Sequence, residues 1–272
     1  MPDTYLEVHT SQYHHIAPSV PLDMEVTLMM RFKDKIAVIT GGATGIGFAA
    51  AKRFVEEGAF VYLFGRTQSA LDGAVERLGP NARAVAGSID DVADLARLYD
   101  EVGTERGRID ILFANAAVSE VTPLGQIDSD QFDRLFGTNV KGVVLTVQGA
   151  LPLMGKGGSI ILSASSASVK AFPNFSLYAA TKAAVRSFAR SWTIELAEKG
   201  IRVNALSPGL TRTDAAVALM GEEGMEAVKG MTPIGRVADP DEIGAIAAFL
   251  ASDESSFMAG SELFADGGGA QV

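Results

Sequence analysis

The 272-residue chain contains no cysteine. Disulfides, thiolate nucleophiles and cysteine-ligated metals are excluded together. Histidine is nearly as scarce: His9, His14 and His15 are the only three, and all precede residue 16. A Ser-His-Asp hydrolase or a histidine-ligated metal enzyme is therefore not expected in the body of the chain. Bases are outnumbered, 23 Lys and Arg against 33 Asp and Glu, for a net charge of −10. That balance argues against binding a nucleic-acid backbone, which calls for a basic face. No apolar run approaches the ~20 residues of a membrane-spanning helix; the most obvious, 59–64 and 245–251, fall far short. Residues 1–30 hold Asp3, Glu7, Asp23 and Glu25 but no Lys or Arg, unlike a secretory signal or a mitochondrial presequence. A cytoplasmic protein with no nucleic-acid and no membrane partner is expected. The segment 1–30, with three prolines and no periodicity, reads as a peripheral extension or as the result of an early start, Met24, Met29 and Met30 being other possible starts. The sharper alternative is an arm that packs on a neighbouring subunit.

Apolar residues, 47% of the chain, suffice for a sizeable core. From Lys35 onward, apolar runs alternate with helical stretches. Runs fall at 36–40, 59–64, 82–87, 109–115, 158–163, 201–206 and 261–265. A helical pattern runs from the glycine-rich turn to about 57, and others fall near 68–78, 91–106, 128–152, 175–199 and 239–252, with an irregular segment before the last. Strands alternating with helices of ten or more residues imply βαβ units and a parallel sheet. Continuously apolar strands imply burial on both faces. No linker and no repeat divides the chain, so 31–272 reads as one doubly wound α/β domain.

Residues 40–47 read Thr-Gly-Gly-Ala-Thr-Gly-Ile-Gly, after a strand and at the start of a helix. Glycines admit positive φ and let backbone approach a pyrophosphate, and the helix amino terminus presents free N–H groups to it. Gly41, Gly45 and Gly47 are the expected positions; the plainer alternative is a tight strand-to-helix turn without a ligand. A dinucleotide site specific for NAD places Asp or Glu at the end of the second strand. Here that strand ends Leu63-Phe64-Gly65-Arg66-Thr67, with no carboxylate and a guanidinium suited to a 2′-phosphate. NADP(H) is the expected cofactor, NAD(H) the alternative, with Arg66 then an ordinary surface arginine.

Residues 178–182 read Tyr-Ala-Ala-Thr-Lys. On a helix Tyr178 and Lys182 share one face. An ammonium beside a phenol lowers its pKa and suits it to general acid or base work near neutrality. Ser165, thirteen residues earlier, offers a hydroxyl to a carbonyl oxygen as charge develops there. Asn139 interrupts an otherwise helical stretch. Each residue alone has an ordinary structural reading: a half-buried tyrosine, a solvated lysine, one serine of a serine-rich loop.

In these residues the chain resembles the short-chain dehydrogenases/reductases, in their one-domain Tyr-x-x-x-Lys branch, over roughly 33–270. The family's Thr-Gly-x-x-x-Gly-x-Gly matches 40–47, and its Tyr-x-x-x-Lys matches Tyr178 and Lys182. Its serine thirteen before the tyrosine selects Ser165, and its fourth-helix asparagine, which holds a water on a proton relay, matches Asn139. Its Asn-Ala-Gly resembles Asn115-Ala116-Ala117, its Pro-Gly segment matches Pro208-Gly209-Leu210 with Thr213 beyond, and its closing motif matches Asp266-Gly267-Gly268. The resemblance implies a Rossmann-like domain with a mostly parallel seven-stranded sheet and helices on both faces. It implies catalytic Asn139, Ser165, Tyr178 and Lys182. It implies a cofactor site of Gly41, Thr44, Gly45, Ile46, Gly47, Arg66, Thr67, Ser88, Ile89, Asn115, Ala116, Lys182, Pro208, Gly209, Leu210 and Thr213. It also implies a homotetramer or dimer. Two positions depart from the pattern. Ser88 stands where an aspartate often meets the adenine, and Ala117 replaces a glycine, at a cost on the order of 1 kcal/mol if positive φ is required there. Three residues between Tyr178 and Lys182 disfavour the enoyl-reductase branch, which uses six.

The activity so implied is hydride transfer between NADP(H) and a carbonyl or secondary alcohol, on a small apolar ketone or a 3-oxoacyl-type compound. An NAD-dependent alcohol or polyol dehydrogenase and a silent cofactor-binding regulator are the alternatives. The loop 169–177 contributes Phe172, Pro173 and Phe175, and the segment 214–231 contributes Leu219, Met220, Met225 and Met231, as expected pocket walls or a mobile lid. No basic cluster marks a site for an acyl-carrier phosphate.

Overall fold

Every residue of Ile36–Thr40 is buried, as continuous Ile-Ala-Val-Ile-Thr requires of a strand covered on both sides. In the computed structural model, which describes residues 30–230 and 232–270, this strand β1 lies near the middle of a seven-stranded sheet. It is followed by α1 (Gly45–Glu56), β2 (Phe60–Gly65), α2 (Gln68–Leu78), β3 (Ala82–Ala86), α3 (Val92–Arg106) and β4 (Ile109–Ala114). Then come α4 (Ser129–Phe136), α5 (Gly142–Ala150), β5 (Met154–Ser163), α6 (Ser176–Glu195), β6 (Arg202–Pro208), α7 (Asp214–Lys229), α8 (Pro240–Ala251) and β7 (Glu262–Ala265). The strand order is β3-β2-β1-β4-β5-β6-β7, and every pairing is parallel. The expected mostly parallel sheet is thus wholly parallel among the described residues.

Alternate strand residues serve opposite faces. Val38, Leu112, Ile160 and Leu162 join a core with α3, α5 and α6. Ala37, Ile39, Phe113 and Ile161 join another with α1, α2 and α8. Local signals agree with the layers. Asp91 caps α3 by accepting from the amides of Ala93 and Asp94. Asp239 and Glu242 form a capping box at α8, with Pro240 at its first position. Before β1, Arg31 is held by the buried carboxylate of Glu57 and by Glu254. The remainder of the expected 1–30 extension lies outside the described residues.

Two expectations need correction. The stretch 128–152 is not one regular helix: a π-helical turn, Gly137–Lys141, separates α4 from α5. The cause is Asn139, whose amide is drawn to the backbone of Val118 on the neighbouring loop, and such a turn admits the extra residue. The segment expected to be irregular before α8 contains α7, a helix interrupted at Gly221, where φ 67° and ψ 169° suit only glycine. No helix among the described residues is long and apolar enough to cross a membrane.

Helix α1 packs closely against α8. A Cβ on Gly244 would stand 2.7 Å from the carbonyl carbon of Ala49 and 3.0 Å from the amide of Ala50, both backbone. Glycine-to-alanine in a helix ordinarily gains about 1 kcal/mol. Here the sign reverses, because backbone cannot give way: Gly244→Ala should destabilise by about 1–3 kcal/mol in urea unfolding.

Candidate active site

The sheet order reverses between β1 and β4, so the loops that follow them part and leave a crevice beyond their carboxyl ends. A cavity of about 950 Å³ lies there. The Thr40 hydroxyl accepts from the amides of Asn115 (3.0 Å) and Ala116 (3.1 Å). The Asn115 side-chain amide donates back to the carbonyls of Thr40 and Gly41, each at 3.2 Å. The two loops are thereby held at a fixed spacing.

The glycine loop has the geometry expected of a pyrophosphate cradle. Gly41 (φ 64°) and Gly45 (φ 53°) adopt left-handed backbone. A Cβ on Gly47 would stand 2.2 Å from the Gly41 carbonyl oxygen, so only glycine lets the helix start this close. Thr44 precedes α1 in extended conformation without capping it, which leaves the first-turn amides to a ligand. Gly41, Thr44, Gly45 and Ile46 line the cavity, whereas Gly47 is buried beneath the loop. Arg66, Thr67, Ser88 and Ile89 line it near the ends of β2 and β3. Arg66 is exposed and has no carboxylate partner among the described residues. The Ser88 hydroxyl is taken up by Asp90. Asn115, Ala116, Pro208, Gly209, Leu210 and Thr213 complete this wall. Gly209 is required by space: a Cβ there would stand 2.7 Å from Cα of Asp266. Asp266 in turn folds the closing turn by accepting from the amides of Gly268 (3.0 Å) and Ala270 (2.7 Å). Ala117 does not have the positive φ considered above, since only Asp34 and Asn174 do so among described non-glycine residues. The alanine carries no such backbone penalty. These residues fit a dinucleotide with its pyrophosphate at α1.

Ser165, Tyr178 and Lys182 meet in the same cavity. Ser165 stands at the start of the short turn Ser166–Ser168 and accepts from the Ala167 amide at 3.1 Å. Tyr178 and Lys182 lie one turn apart on α6, the ammonium 5.5 Å from the phenol ring centroid. Lys182, 2% exposed, donates to the carbonyl of Ser163 at 2.7 Å. The expected lowering of the phenol pKa by the ammonium is not found. Burial pushes Tyr178 up to about 12, with Ser165 pulling the other way, and burial pulls Lys182 down to about 8. Desolvation is the largest influence on both groups, the lysine being enclosed and the phenol packed into the cavity wall.

Asn139 does not face the cavity. Its amide oxygen accepts from the Val118 amide (2.8 Å), and both of its donors are used, on the Val118 carbonyl (2.8 Å) and the Thr181 hydroxyl (3.1 Å). Thr181 passes its own proton to the Tyr178 carbonyl at 2.7 Å. The side chain therefore fastens the loop after β4 to α6.

The far end of the cavity is apolar. Phe172, Pro173, Phe175, Leu219 and Met220 line it, as do Val118 and Val121, which sequence reasoning missed. Met225 does not: it is fully buried beyond the break at Gly221. Met231 lies outside the described residues. Sequence reasoning also missed Glu262, nearly buried in β7. It accepts from Ser168 (2.8 Å) and Ser207 (2.7 Å) and pairs with Arg186. One carboxylate thus joins the turn after Ser165, the residue before Pro208 and the helix that carries Tyr178. Its only sequence signal was an acid in an otherwise apolar strand.

The family model described as "Enoyl-(Acyl carrier protein) reductase" matches residues 41–269. "Oxidoreductase asL5" of Sarocladium schorii is 54% identical over 249 residues, covering 91% of this chain and all of that protein. "3alpha-hydroxysteroid dehydrogenase" of Mediterraneibacter gnavus is 38% identical, covering 88% and 98%. A solved structure, "Short-chain dehydrogenase/reductase SDR:Glucose/ribitol dehydrogenase from Brucella melitensis", superposes with a TM-score of 0.83 at 30% identity, covering 88% and 98%.

The buried lysine makes stability depend on pH. The unfolded side chain keeps its proton up to about its ordinary 10.5, the folded one only to about 8. Between these values the unfolded chain binds more protons, so folding is favoured as pH rises. Below about 8 both states carry the proton and the burial penalty stands in full. Lys182→Met should remove this rise. Thermal unfolding of both proteins at about pH 8 and about pH 10, without coenzyme, should show the variant's advantage shrinking as pH rises. An advantage independent of pH would contradict the burial argument.

Proposed function

The chain belongs to the short-chain dehydrogenase/reductase family, and on that footing we propose that it reduces a ketone or 3-oxoacyl-type carbonyl with NADPH. Members of this family are oxidoreductases that act on alcohol and carbonyl groups with a nicotinamide cofactor. The observation that carries the proposal is the meeting of Ser165, Tyr178 and Lys182 on the wall of a cavity whose other end is the glycine loop.

When bound, the nicotinamide would supply the hydride. Gly41, Thr44, Gly45 and Ile46 would hold the pyrophosphate, with Gly47 permitting the close turn. Thr67, Ser88 and Ile89 would border the adenosine, and Asn115, Ala116, Pro208, Gly209, Leu210 and Thr213 the remainder. Arg66, free of any described carboxylate, would meet a 2′-phosphate with its planar fork.

The chain supplies the rest. Ser165 and Tyr178 hold the carbonyl oxygen, and Tyr178 gives it a proton. A phenol that keeps its proton to about 12 is in the acid form at neutral pH, which suits the reductive direction. Lys182 places a cationic or neutral amine behind the phenol, depending on pH, and Asn139 positions α6 through Thr181. The three-residue spacing of Tyr178 and Lys182 favours carbonyl over enoyl reduction, despite the description of the matching family model. A tetramer or dimer remains part of the proposal by family analogy.

Tyr178→Phe should lower carbonyl turnover about a thousandfold while NADPH binding stays within about twofold. Near-native turnover, followed by nicotinamide absorbance over a panel of ketones, 3-oxoesters and sugars, would remove Tyr178 from the chemistry. Arg66→Asp should weaken NADPH about ten- to a hundredfold and leave NADH nearly unchanged. Equal losses for both coenzymes would overturn the NADP assignment and favour the NAD-dependent polyol dehydrogenase reading.

A further inference from the structure

We infer that Lys170 is an anion anchor at the substrate end of the cavity, so that the substrate is a carbonyl compound with an apolar body and a carboxylate or equivalent oxyanion. The inference rests on the proposed reductase reading and deepens it by naming the substrate class.

Three bases line the cavity: Arg66, Lys170 and Lys182. Two have other work in that reading, Arg66 beside the adenosine residues and Lys182 behind the phenol. Lys170 lies on the β5–α6 loop between Ser165 and Tyr178 in the chain and lines the cavity with them. It is half-buried, and its ammonium donates to the carbonyl of Gly269 in the closing turn. Among the described residues no carboxylate pairs with it. Of the two acids that line the cavity, Asp266 has both oxygens on backbone amides, and Asp214 is exposed at the start of α7. An ammonium has three donors, and one carbonyl uses one of them.

The lysine is also held in place. Its amide donates to the Ser166 carbonyl at 2.9 Å, and the far side of its loop is fastened by the Thr122 amide to the Asn174 carbonyl at 2.8 Å. Phe172 and Phe175 line the same cavity, and the Phe175 ring lies 4.5 Å from that of Tyr178. A half-buried cation in a cavity with apolar walls gains most from an anion that arrives with an apolar body. The body displaces water, and the ion pair strengthens in the drier cavity. The same loop then reads the substrate's charge at Lys170 and its carbonyl at Ser165 and Tyr178.

Equilibrium binding tests this without turnover. Benzoate and benzamide, matched in shape but not in charge, are titrated calorimetrically into the full-length protein saturated with NADPH, which keeps Arg66 engaged. Benzoate should bind at least about tenfold tighter than benzamide. Lys170→Gln should abolish that preference by weakening benzoate alone, and Lys170→Arg should retain most of it. Equal binding of the two probes, or of neither, overturns the inference, as does a preference that survives Lys170→Gln. Loss of both probes together in Lys170→Gln would make the lysine a strut to Gly269 instead, and weakened NADPH binding would place it on the coenzyme. The reductase reading fails separately, by absence of Tyr178-dependent carbonyl reduction, and that result does not alter what the two probes report.

Discussion

The hydrogen bonds between Thr40 and the Asn115–Ala116 backbone govern the rest of the site. Parallel strands β1 and β4 send their chains away in opposite directions, and nothing in a sheet ladder sets the distance between loops once the strands end. Thr40 and Asn115 do so with four bonds of 3.0–3.2 Å. The spacing places Gly41 under α1 on one side and leads to Val118 on the other, where Asn139 takes over and carries the constraint to α6. The glycine loop and the tyrosine helix, 130 residues apart in the chain, are thus joined by short polar links in series.

Polar side chains along this route are buried and bonded, and the bonding makes their burial tolerable. The proposed reactive pair is treated differently. Tyr178 and Lys182 are desolvated beyond what their few bonds compensate, so each is pushed toward its neutral form. The fold therefore carries an electrostatic deficit at the pair to which the chemistry is proposed to belong. Glu262 shows the contrary arrangement: a nearly buried carboxylate with two hydroxyls donating to one oxygen and a guanidinium paired with the other.

Much of this was legible in the sequence because periodicity and steric necessity are local properties. All seven strands were visible as apolar runs, and Gly41, Gly45 and Gly47 were legible because positive φ and close approach leave few other choices. Tyr178 and Lys182 followed from helical spacing. What escaped detection depended on neighbours distant in the chain. The direction of the Tyr178 shift is set by burial against residues far from it in the chain. The employment of the Asn139 amide is set by Val118. The burial of Met225 follows from a backbone break at Gly221 that a hydropathy pattern does not register. Ala117 shows the reverse case, a departure that looked costly until the backbone proved to be ordinary.

The break at Gly221 also divides the work of α7. Before it, Leu219 and Met220 belong to the cavity; after it, Met225 belongs to the core. A continuous helix would couple those two faces, so that any change of shape toward the ligand would turn the buried side as well. With the helix axis interrupted by a glycine, residues 214–220 are free to change shape without turning the buried Met225. The proposed recognition surface is in this sense a replaceable panel, which can be reshaped while the methionine beyond the break stays where it is.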